Sequence, residues 1–145
     1  MIELVFVIVI LGILAAVAIP KFAATRTDAQ ISKGRSDVAS IRSSIINERQ
    51  GRLIKGDSSW INSLSHETGT LFDGNGTSSG DAELLMYGIK AAQSNGHWRT
   101  TDADFPYLHY IFQIKDSNCN FTYDAATGKF GLDDDQDAIC DQLVN

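Results

Sequence analysis

Residues 1–20, MIELVFVIVILGILAAVAIP, decide how this chain is built. From Leu4 to Ile19 there is no charge and no strongly polar side chain, and Glu3 is the lone ionisable side chain at the start. Pro20 closes the run and Lys21 opens a charged stretch. A helix rises about 1.5 Å per residue, so twenty residues span about 30 Å, the thickness of a bilayer's hydrocarbon core. The segment therefore reads as a membrane anchor. A secretory signal is a poor fit: there is no basic n-region, the apolar part is long, and no small-x-small cleavage pattern precedes Lys21.

Outward from this stretch the helical pattern continues. Ile31, Val38, Ile41 and Ile45 fall at spacings of seven, three and four, which line one helical face, while Arg35, Arg42 and Arg49 repeat every seven residues on another. The reading is one helix from about residue 2 to about residue 51, with a bend or local break near Pro20 and a stop at Gly51. Its first part, 1–20, is apolar all round and must meet lipid or other apolar helices. Its second part, 21–52, is amphipathic and must pack on a domain.

Residues 53–145 form that domain, a polar head with a small core. Asp57 or Ser58 is placed to cap a short helix through Trp60, Ile61 and Leu64. The loop 73–81, DGNGTSSGD, precedes a helix expected over 82–94, capped by Asp81 and ended by Asn95–Gly96. Residues 107–115 read as a strand, and 120–124 with 129–132 as a hairpin around AATG. The fold class is α+β: a long N-terminal helix packed on a small antiparallel sheet. Trp60, Trp98, Phe105, Tyr107, Tyr110 and Phe112 are the expected aromatic core.

The formal net charge is −6, but its distribution says more. Residues 21–55 hold eight Lys/Arg against three acids, and residues 56–145 hold four against fourteen. A basic helix thus leads into an acidic head. Its charges either balance those of its own domain or meet acidic surfaces of identical neighbours. Two cysteines, Cys119 and Cys140, make an even count in a chain that reads as membrane-exported, which favours one disulfide.

The opening residues resemble the N-terminus of type IV pilins and of the pseudopilins of type II secretion systems. Ile2, Glu3 and Leu4, the apolar run, and Gly12-Ile13-Leu14-Ala15-Ala16-Val17-Ala18-Ile19-Pro20 carry the match. It covers about twenty residues; the remainder agrees only in outline, as a long helix, a small sheet and a C-terminal cysteine pair. The family's mature chains usually have two residues, often Phe then Thr, before the one matching Met1, so either those two are missing here or processing differs; with the family's leader peptide and its glycine cleavage site also missing, the sequence reads as a mature or slightly shortened form. The resemblance implies a precursor held in the bacterial inner membrane, a prepilin peptidase and assembly machinery as partners, and an N-methylated amine. It implies a helical homopolymer of identical subunits, extracellular for a pilus and periplasmic for a pseudopilin.

Glu3 has two readings. An acid at a helix N-terminus is favoured by the helix dipole and can reach the headgroups. Alternatively it pairs with the N-terminal amine of a neighbouring subunit and sets the register between helices; the resemblance favours this role. Pro20 is either a boundary stop or, with Gly12, the place where the anchor melts locally on leaving the bilayer; the resemblance supports the second.

Asp133, Asp135 and Asp137 alternate like the first ligands of a calcium loop, but Ala138 replaces its glycine and no Glu closes it. Asp73, Asn75 and Thr77 with Asp81 make a second partial match. The expectation is no cofactor, with calcium kept only as a weak candidate. His66, His97 and His109 show no metal-ligand spacing, and no catalytic constellation accompanies them, so an enzyme is not expected. Nucleic-acid binding by the arginine repeat is not expected either. The function expected is a pilin; the alternatives are a pseudopilin and, in a different class, a single-pass anchored binding domain that never polymerises.

Overall fold

The computed structural model describes residues 1–74 and 83–145. Helix α1, Ile2–Ile54, is followed by β1 (Thr70–Leu71), β2 (Ile89–Lys90), β3 (Trp98–Thr100), β4 (His109–Ile114), β5 (Ser117–Asp124), β6 (Lys129–Leu132) and the short α2 (Ala138–Asp141). The expected α+β class holds. β1 and β2 form a two-stranded antiparallel ribbon, and β3-β4-β5-β6 is an antiparallel meander. The expected strand and hairpin fall on β4, β5 and β6.

The amphipathic half of α1 lies on the meander as its periodicity demands. Val38, Ile41 and Ile45 are fully buried, and Ile31 packs at the edge. From the sheet, Tyr110, Phe112 and Ile114 of β4 and Cys119, Phe121 and Tyr123 of β5 alternate inward. Phe72 sits among them, with its ring 4.6 Å from that of Tyr110, 5.3 Å from Trp98 and 5.8 Å from Phe130. Its backbone is left-handed, at φ 61°. That conformation costs about 1–2 kcal/mol for a residue with a Cβ; here it turns the largest side chain of the β1 region into the core. The Trp98 indole N–H donates to Asp37 Oδ2 at 2.9 Å, which pins β3 to the helix.

Five expectations are corrected. No helix occupies the described part of 82–94; bends and β2 do. The backbone N–H groups of Leu84, Leu85 and Ala91 donate to Asp73, Phe72 and Gly69, so this segment pairs with the 69–74 strand region instead of with itself. No short helix follows Asp57: its Oδ1 does accept from the Ser59 N–H at 2.8 Å, but the carbonyls of Ile61 and Leu64 are taken by the Tyr123 hydroxyl and the Gly74 N–H. α1 runs past Gly51 to Ile54 and stops where Gly56, at φ 84°, takes the left-handed turn. Of the bend or local break expected near Pro20, the break is absent: α1 is helical through residue 20, because losing one N–H leaves the flanking hydrogen bonds to carry the helix through. Among the aromatics, Phe105 is half exposed and Trp60 lies at the core's edge, while the other four are buried as expected.

Candidate functional site

The candidate site is the half of α1 that the head leaves bare. From Met1 to Ile19 every large apolar side chain is exposed, Leu4 at 70% and Phe6 at 66%, and none of the 18-residue apolar span is covered by the rest of the chain. By length and composition this helix can cross a membrane. A free rod of Leu, Ile, Val and Phe in water forfeits about 1.5–3 kcal/mol per side chain, so lipid or another helix must cover it.

Glu3 lies in the first turn, beside a Met1 N-cap that offers no side-chain cap. The first-turn N–H groups and the dipole make this the favoured end for an acid. Gly12 has open space where a Cβ would stand: apart from its own stretch of helix backbone and its chain neighbours, no atom lies within 4 Å. Its lack of a side chain therefore makes room for no packing contact within this subunit. The helix backbone passes through Pro20, whose side chain lies outside what is described.

Cys119 and Cys140 are bonded, with Cα atoms 5.3 Å apart and both residues fully buried. The bridge ties α2 to the core face of β5 and closes a 21-residue span, worth about 3 kcal/mol in the loop-entropy picture. Below it, Arg35 Nε donates to the Gln142 carbonyl.

The calcium candidates do not converge. Asp137 accepts from the Ser117 hydroxyl at 2.6 Å, and Asp135 sits on a left-handed backbone at φ 60°. Among the described residues no group of three or more His, Cys, Asp or Glu is placed to hold a metal ion. Of the second partial match, Asp73 instead contacts His66 at 2.7 Å; Asn75, Thr77 and Asp81 lie outside the described residues.

The arginine repeat faces the head. Arg42 Nε donates to the Phe130 carbonyl at 3.0 Å, and the Arg49 guanidinium lies 4.0 Å above the Trp60 ring. Together with Arg35, these residues clamp the helix to the sheet edge and the C-terminal segment. Sequence spacing gave the register of this stripe but not its partners, because main-chain carbonyls at 130 and 142 leave no side-chain signature.

The histidines sit at polar corners. His97 Nδ1 lies 3.0 Å from the Ser94 hydroxyl, and His109 Nδ1 lies 2.8 Å from Asp102 Oδ1. Burial works to raise the Asp102 carboxyl. The backbone N–H groups of His109 and Leu108 and the His109 ring outweigh it and hold the carboxyl below its ordinary value. Behind this corner, Tyr110 hydrogen-bonds Ser65 and the Tyr107 carbonyl, and burial pushes its phenol far above the usual range. Burial likewise pushes Tyr123 up to about 12.

Compared with known proteins, the chain matches no family model, no curated protein and no solved structure.

Proposed function

We propose that this chain is a structural pilin, which polymerises through the bare half of α1 into a type IV pilus filament. The observation that carries this reading is the pairing of two properties in one helix. Residues 31–45 are fixed to the head by Val38, Ile41 and Ile45, while residues 1–19 of the same helix present apolar side chains on every side. Such a rod suits two environments in turn, a bilayer and then a bundle of identical rods. In the bundle Glu3 meets the positive amine of a neighbour, where two buried opposite charges fix the axial register. Gly12, with open space beside it, allows close approach or local unwinding, and Pro20 removes one hydrogen bond from the segment that must yield. The acidic head is then the outer surface.

A single-pass anchored domain that never polymerises shares the apolar helix, with Glu3 served only by the helix dipole and the headgroups. Glu3→Ala separates the two. In a pilin it lowers the yield of sheared filaments at least tenfold while membrane insertion and head folding stay normal; electron microscopy of the shear fraction beside circular dichroism of the purified chain reads both. Filaments at wild-type yield from the variant would remove Glu3 from assembly.

A further inference from the structure

Where α1 leaves the apolar run, its first turns and the lower edge of the head enclose a cleft of about 450 Å³. Ala24, Arg26, Thr27 and Gln30 line it from the helix, Asn95 from the turn before β3, and Lys115 from the β4–β5 turn. Its far wall is held in place. The Gly96 N–H donates to the Gln113 carbonyl, and a Cβ on Gly96 would lie 3.2 Å from Gln30 Cγ, so the 95–96 turn rests directly on the helix.

The cations of this region divide in two. Higher on the helix each is engaged within the chain: Lys33 with Asp37, Arg35 with the Gln142 carbonyl, Arg42 with the Phe130 carbonyl, Arg49 with Trp60, and Arg52 with Glu48. Arg26 and Lys115, which both line the cleft, form no ion pair among the described residues. The nearest acids by sequence, Asp28 and Asp116, do not line it; Asp28 belongs to a neighbouring hollow with Arg35 and Gln142.

Depth supplies the ligand. Arg26 stands six residues beyond Pro20, about 9 Å along the helix axis. The headgroup layer extends about 5–8 Å beyond the hydrocarbon on each side. Ala24, at the lower lip of the cleft, stands about 6 Å beyond Pro20 and so within that layer, and the long Arg26 side chain can reach back to it when residues 1–20 span a bilayer. Lys/Arg beside a span normally mark its cytoplasmic side, whereas the disulfide places this head on the oxidising side. A basic flank on that side favours a local anionic partner.

We propose that this cleft binds the phosphate of an anionic phospholipid while the subunit resides in the membrane. The Arg26 guanidinium takes two phosphate oxygens in its fork, Lys115 supplies a point charge opposite, and the amides of Gln30 and Asn95 donate to the remaining oxygens. Headgroup binding seats the head upright on the bilayer. The proposal rests on residues 1–20 being a membrane anchor and not on polymerisation.

Native mass spectrometry of the full chain, released from vesicles of phosphatidylcholine with one-fifth phosphatidylglycerol, tests it. The wild-type chain is expected to retain one phosphatidylglycerol and no phosphatidylcholine. The R26Q/K115Q double variant is expected to retain it at least tenfold less, in line with about fivefold per cation near an anionic surface. K55Q/K129Q, with the same charge change at the distal end, is expected to behave as wild type. Equal retention by R26Q/K115Q, or equal retention of the two lipids, overturns the proposal. Release of the lipid by millimolar inorganic phosphate assigns the cleft to a free anion and overturns the lipid assignment. Failure of the chain to float with vesicles instead overturns the anchor reading beneath it.

Discussion

A Cβ at Gly34 would lie 2.6 Å from Leu143 Cδ2 and 2.7 Å from Phe112 Cε1. Glycine in a helix interior costs about 1 kcal/mol relative to alanine, so this position gives up local stability for a close approach between α1, β4 and the C-terminal segment. The Leu143 methyl can shift, but the Phe112 ring is fully buried and packed against Trp98 at 4.9 Å. Overpacking costs of about 1–3 kcal/mol thus outweigh the helix gain. Gly34→Ala is expected to lower the head's melting temperature by about 3–6 °C. Gly12→Ala, in open space on the same helix, is expected to leave it unchanged. Thermal unfolding followed in the near-ultraviolet, where the core aromatics report, compares the two.

Asp102 is the second residue whose environment makes a measurable claim. Its carboxylate accepts from the Leu108 N–H at 2.6 Å and the His109 N–H at 2.8 Å, and its folded-state value lies below the ordinary one. A carboxyl depressed in the native state contributes stability above its unfolded value, near pH 4, and loses it as pH falls through the lower folded value. Asp102→Asn is therefore expected to cost about 1–2 kcal/mol at neutral pH. The gap between variant and wild type should begin to narrow near pH 4 and go on narrowing as pH falls through the lower folded value. Urea titrations stepped from pH 7 down to pH 2 measure it; a gap that stays constant over the whole range would show that the lost stability is not electrostatic.

At the scale of elements, the C-terminal segment depends on one covalent tie and a few polar contacts. α2 has four residues, too few to be stable as a helix alone. Cys140 and Leu143 are its buried anchors, and Arg35 reaches the Gln142 carbonyl from α1. Replacing Cys119 and Cys140 by Ser is expected to cost about 3 kcal/mol. Amide exchange should quicken first over 133–145, since that segment loses its tether while the meander keeps its ladder. Uniform loosening of all six strands would mean that the bridge supports the whole core. The same scale explains what was legible in the sequence. The helix, β4 and the β5–β6 hairpin carry their own signals: a 3.6-residue apolar period, a dense aromatic and β-branched run, and two such runs around AATG. The segment 83–94 carries a misleading one. Its Leu, Met and Ala favour a helix, yet Gly88 must lie where a Cβ would meet Thr70 and the Leu71 carbonyl, and the backbone donors go to 69–73. Those partners are distant in sequence, and no local propensity encodes them. The cleft lined by Arg26 and Lys115 was hidden for the same reason: the two residues are 89 positions apart and come to one cleft only through the fold.

The whole molecule divides functionally where its burial pattern changes. Below Gln30, no α1 side chain for which burial is described is buried; above it, Gly34, Val38, Ile41 and Ile45 enter the core at spacings of four, three and four. The bare segment contributes nothing to the head's core, and the head covers none of the segment. A chain beginning at Ala24 therefore keeps every core contact while losing the apolar rod. It is expected to be water-soluble and monomeric, with a melting temperature within about 3 °C of the full chain in detergent. Analytical ultracentrifugation and thermal unfolding read both properties. On the pilin reading, a truncated chain mixed with full-length chains is also expected to stay out of the filament, because Glu3 and the apolar helix proposed to set the register are gone. A truncated chain that still polymerises would move the assembly surface to the head. A truncated chain that unfolds would mean that the anchor supports the domain it carries, contrary to the division seen in burial.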